Sequence, residues 1–215
     1  MTEISSIPRR VEWIDVAKGI GIILVILVHS IIPLVNPVTT HLSSFAIPLF
    51  FVLAGLTYNS DKHRYQLKEF AITRGRQFLI PYFGLYTIIM GLFYLLPGVV
   101  DTYVTPDQLV FWFFYGSGPP GQATHLWFLP VLYFGFMLFV VLDRVLSGFP
   151  RWSRFLLVPI LPFIAYTINS MFNPLLVPWH MGAILMATTF VLLGNELRNV
   201  YGLRPWSTAS KAKDA

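Results

Sequence analysis

The chain has 215 residues, of which 55% are hydrophobic and 12% charged, with a mean hydropathy of +0.65. That composition excludes an ordinary soluble domain. The absence of cysteine excludes disulfides, thiol nucleophiles and cysteine metal sites. The net charge of +5 does not point to nucleic acid, because the basic residues are spread over short connections, where in a membrane protein they act as an orientation signal.

Residues 1–13 form a short polar leader, basic at Arg9 and Arg10. The apolar run at 14–34 that follows is too long for a signal peptide and carries charged groups, and no small-residue cleavage site closes it. It reads as a retained first span. A loop at 35–42 leads to a second, slightly short span at 43–59, which Pro48 should kink. Residues 60–77 are the most basic connection, and Leu67, Phe70 and Arg74 share a stripe there that suggests a helix lying at the membrane interface. A third span is predicted at 78–97. Within the loop at 98–124, the apolar stretch 109–115 is too short to cross and is read as re-entrant or interfacial. Further spans are predicted at 125–143, 155–173 and 179–197, before a polar tail from Arg198 onward. No internal repeat is visible. The prediction is an all-α integral membrane protein with about six transmembrane helices: a leader at 1–13, a membrane domain at 14–198 and a tail at 199–215.

All fifteen Lys and Arg fall in or beside the leader, the 60–77 and 144–154 connections and the tail. The loops at 35–42, 98–124 and 174–178 have none. The positive-inside rule then puts both termini in the cytoplasm.

Ionisable groups inside a span are costly and mark function by default. The first span carries Asp15, Lys18 and His29. Lys18 and His29 are eleven positions apart, three turns plus about 20°, so both lie on one face, ~16 Å apart along the axis. Lys18 falls near the cytoplasmic end and His29 about two thirds of the way across. His29 is a candidate general base; the plainer reading is a packed histidine bonded to a carbonyl. Lys18 could hold an anion or simply snorkel beside Asp15, with which an i, i+3 ion pair is expected. Arg74 and Arg76 are candidates for phosphate capture by guanidinium forks, or plain flanking charge. His41, His125 and His180 fall on the outer side without metal-ligand spacing, so no metal site is predicted. Trp127 and Trp179 read as interfacial aromatics, and Asn195 and Glu196 as the cytoplasmic end of the last span.

Five segments taken together resemble the membrane-bound acyltransferase family 3, which O-acylates surface carbohydrates. They are WIDVAKGIGIILVILVH (13–29), FAIPLFFVLAGLTY (45–58), ITRGRQFLIPY (72–82), HLWFLPVLYF (125–134) and PWHMGAILMATTFVLLGNELR (178–198). The last two are closest to the fucose 4-O-acetylase-like branch. Two departures stand out. Lys18 occupies a position where many members have arginine, and Ala46 replaces the histidine usual in the second span. The family usually has about ten spans by hydropathy, so this chain resembles an N-terminal portion. The resemblance implies a bacterial cytoplasmic-membrane protein that acts in the lipid bilayer. It would move an acyl group, expected to be acetyl, from acyl-CoA to a carbohydrate or lipid-linked glycan hydroxyl. Acetyl-CoA would be a co-substrate, with no permanently bound cofactor. Arg74 and Arg76 would take the donor phosphates, His29 would act as base or acyl relay, and Lys18, held by Asp15, would assist. The alternatives are a non-catalytic truncated membrane component, or a small transporter using the Asp15–Lys18–His29 stripe as a proton path.

Overall fold

A computed structural model describes residues 12–31, 37–60, 65–96, 105–118, 124–173 and 175–202. Among these residues the regular structure is entirely helical and no strand is present. The helices are α1 (Glu12–Ile31), α2 (Pro37–Leu56), α3 (Leu67–Leu95), α4 (Pro106–Tyr115), α5 (Phe128–Val145), α6 (Trp152–Phe172) and α7 (Met181–Tyr201), with short 3-10 turns leading into α5 and α7 and following α5. Five segments are long and apolar enough to cross a membrane: Glu12–Ser30, Pro37–Leu56, Phe128–Gly148, Trp152–Phe172 and Pro178–Tyr201. The remaining expected span, 78–97, lies largely within α3. The chain is an all-α integral membrane protein.

Several boundaries differ from the sequence reading. α2 opens at Pro37, within the expected loop, because proline at a helix start loses no hydrogen bond. The apolar stretch 109–115 is the body of the ten-residue α4. Thr105 caps it, its backbone N–H donating to Gln108 Oε1 at 3.1 Å. A hydrogen bond from the Thr105 side chain holds the Asp107 carboxyl below its ordinary range. α7 runs on to Tyr201, three residues past the expected start of the tail. Most of the predicted leader (1–11) and of the tail (203–215) lies outside the described residues.

The largest difference is α3. The interfacial helix and the third span expected from the sequence are one continuous helix of 29 residues, ~43 Å long at 1.5 Å per residue. The stripe that looked interfacial packs against protein instead. Phe70 is buried and meets Phe136 of α5 edge-on, with ring centroids 5.2 Å apart.

The chain divides into two compact units. The first comprises Met1–Tyr58 and Phe190–Ala215. In it α1 and α2 pack together, with Ile14, Gly21 and Val28 buried at seven-residue intervals along α1. Gly21 lies under the Phe50 ring of α2, which would sit 2.9 Å from an added Cβ. α2 and the end of α7 cross with backbones in contact. A Cβ on Gly55 would strike the Val191 carbonyl oxygen, and one on Gly194 the Val52 carbonyl oxygen. Small residues permit this approach, and close packing is what holds helices together where lipid offers no hydrophobic drive.

The second unit is Asn59–Thr189. Here α3 packs on α5, and Gly135 of α5 lies against Ala187, while Thr188 Oγ1 donates to the Gly135 carbonyl at 3.1 Å. The two loops without Lys or Arg meet at one end of this unit. Tyr115 Oη donates to the Leu176 carbonyl at 2.6 Å and Ser117 Oγ to the Val177 carbonyl at 2.5 Å. The α5–α6 turn carries the buried Asp143–Arg154 ion pair, at 2.9 Å. One span separates that turn from either loop, α5 on one side and α6 on the other, which is the alternation the charge pattern requires.

Candidate functional site

The polar stripe of α1 lies one residue-step, about 100°, from the face that packs on α2. Asp15 and Lys18 are half-buried and His29 is exposed. His29 sits in the last turn of α1, closer to the helix end than the sequence suggested. Lys18 has no ion pair among the described residues, so the expected pair with Asp15 is not formed. The stripe is thus presented on a flank of the first unit, beside the α1–α2 seam.

Arg74 and Arg76 belong to the second unit, and the helix separates them. Two positions are a rotation of about 200°, so Arg76 is exposed while Arg74 turns inward and is half-buried. The Arg74 guanidinium lies 5.5 Å from the ring centres of both Phe70 and Phe136. Its Nη1 donates to Gln77 Oε1 at 2.9 Å. None of these partners is a carboxylate. Phe136 is the ninth residue of the 21-residue apolar segment Phe128–Gly148, so the cation lies alongside the middle of a span rather than at its edge. Tyr133 confirms the level, donating from Oη to the Ala71 carbonyl at 3.4 Å. Aromatic faces and one amide partly offset the desolvation of this cation, yet a buried charge without a counter-charge is costly. The geometry leaves guanidinium N–H groups for an anion.

Sequence reasoning missed three features. The first is Gln77, whose i, i+3 relation to Arg74 is the signal that could have revealed it. The second is Asn195, expected at the interface but fully buried in the first unit beside the Gly55–Gly194 crossing, with neither amide atom hydrogen-bonded among the described residues. Glu196 beside it is also buried. The third is a strained turn at the start of α7, where Trp179 (φ 51°) and His180 (φ 52°) both adopt the left-handed region. Each such residue costs about 1–3 kcal/mol and persists only where its surroundings fix it. The His125 side chain lies outside the described residues, and His41 is exposed. No cluster of three metal-ligating side chains occurs among the described residues.

Comparison with known proteins decides the family. Residues 11–207 match the acyltransferase domain of the acyltransferase 3 family. The chain belongs to that family. No curated protein and no solved structure matches it. Membership in the acyltransferase 3 family makes this a membrane acyltransferase in general class, and it covers both units, so the α1 stripe and Arg74 both lie inside the family domain.

Proposed function

We propose that the protein transfers an acyl group, in the first instance acetyl, from acyl-CoA to a hydroxyl of a carbohydrate or lipid-linked glycan. The observation that carries this reading is Arg74: a guanidinium held against Phe70 and Phe136 with no carboxylate partner among the described residues. Phosphate oxygens of a nucleotide-bearing donor are suited to such a fork. The charge pattern opens the N-terminal end of α3 toward the cytoplasm, where acyl-CoA is found. Arg76, exposed on the opposite face of α3, takes a secondary part in drawing in the anion. Lys18 adds positive charge on the same side of the membrane, with Asp15 tuning it.

His29 is the group for the chemistry. An imidazole neutral near pH 7 accepts the proton of the acceptor hydroxyl. The oxygen attacks the thioester carbonyl, the carbon–sulfur bond breaks, and the CoA thiolate leaves and takes up the proton. The same imidazole could instead be acylated first and then release the acyl group to the hydroxyl. The His29→Ala variant should insert into the membrane and lose O-acetylation of a glycan acceptor. Unchanged acetylation would remove His29 from the mechanism.

A further inference from the structure

One side chain of α3 has no part in the proposed chemistry and yet touches the cation at its centre. Gln77 stands three positions beyond Arg74 on α3, and its Oε1 accepts from Arg74 Nη1 at 2.9 Å. That spacing is the ordinary place for a carboxylate facing an arginine on a helix surface. α3 has a single carboxylate, Glu69, and five positions turn it about 140° away from Arg74. No charged residue follows Gln77 within α3. The fork is therefore oriented by a neutral amide where a helix commonly supplies an acid.

The chemistry of the two groups fixes how they face each other. A guanidinium has N–H donors only, so the amide turns its oxygen toward it. The Nε2 group of Gln77 then points away from Arg74, with no hydrogen-bond partner among the described residues. The pair shows N–H donors and a full positive charge on its open side. A glutamate in the same place would orient the fork equally well and cancel that charge, a difference that matters only to an anionic ligand. We infer that Gln77 is a positioning and specificity-determining residue of the donor site. Its oxygen holds the Arg74 fork in place without neutralising it, and its N–H groups add donors for the same phosphate. The inference rests on the reading of Arg74 as the acyl donor's phosphate site, and it assigns that site a second residue.

Gln77 is exposed, so its substitution leaves the packing of α3 on α5 intact. The test measures the Kd for coenzyme A by titration calorimetry on the purified full chain in lipid nanodiscs, for wild type, Arg74→Ala, Gln77→Met and Gln77→Glu. Gln77→Met, which keeps the length and loses the amide, should raise Kd about threefold to tenfold, the scale of one neutral hydrogen bond. Gln77→Glu should raise it more than Gln77→Met, by about tenfold or more, because the fork loses a charge-assisted bond to phosphate. Its unfolding midpoint should meanwhile stay level or rise, since an i, i+3 ion pair replaces a neutral bond. In acetyl transfer, both Gln77 variants should change the KM for acetyl-CoA in step with Kd and keep kcat within about twofold of wild type. A purely structural Gln77 predicts the opposite order, because glutamate binds arginine at least as well as glutamine does. A wild-type Kd in Gln77→Glu, or equal Kd in Gln77→Glu and Gln77→Met, would overturn the inference. If Arg74→Ala alone weakened binding, Gln77 would lose its role and Arg74 would keep its own. A wild-type Kd in Arg74→Ala, or no binding of coenzyme A to the wild type, would overturn both.

Discussion

At the scale of single residues, Arg74 changes most between sequence and structure. In the sequence it is one of several cations before an apolar run, and flanking charge of that kind is common. In the fold it reaches the middle of a neighbouring span and rests against two phenylalanine rings. Hydropathy cannot separate these cases, since it scores the cation and not the direction it points. Arg76, two residues on and exposed, fits the interfacial description that Arg74 does not. Their variants should therefore differ: Arg76→Ala should raise the KM for acyl-CoA by only a few-fold, within the ~0–1 kcal/mol typical of exposed charges. His29 and Lys18 were legible because eleven residues bring side chains back to one helix face; that His29 is exposed and Lys18 half-buried was not, because it depends on which neighbouring face α2 covers.

At the scale of elements, two contacts carry separate predictions. Asp143 of α5 is buried and pairs with Arg154 of α6, which is itself 13% exposed. Removing one partner strands the other charge, so Asp143→Ala should destabilise the second unit by about 3–5 kcal/mol. Replacing both by apolar residues of similar size should recover most of that loss, and thermal unfolding in detergent would show the difference. The sequence offered Asp143 and Arg154 only as the ends of a span and a basic loop; their pairing follows from the tight α5–α6 turn. The α2–α7 crossing is the second contact. Gly55→Ala and Gly194→Ala each place a methyl group onto a carbonyl oxygen, and overpacking of this kind costs about 1–3 kcal/mol. Gly19→Ala is the control. Its Cβ would meet open space, and alanine is the better helix former, so its unfolding midpoint should stay level or rise. All three variants change the same atoms by sequence alone, and only the packing distinguishes them.

At the scale of the whole molecule, the spans were legible because length and apolarity set them, and the positions of Lys and Arg gave their alternation. The meeting of the two loops free of Lys and Arg at one end of the second unit agrees with that alternation. What remained hidden were features that depend on partners distant in sequence: the merging of the basic connection into α3, the backbone contact at Gly55 and Gly194, and the strained turn that presents His180. The central claim is that a membrane acyltransferase holds its donor's phosphates on Arg74. The most direct measurement is acetyl transfer to a glycan acceptor by the purified protein in nanodiscs, with the KM for acetyl-CoA compared between wild type and Arg74→Ala. Loss of a charge-assisted bond of ~1.5–3 kcal/mol predicts a KM higher by about tenfold to a hundredfold, with the KM for the acceptor unchanged. An unaltered KM for acetyl-CoA would contradict the account.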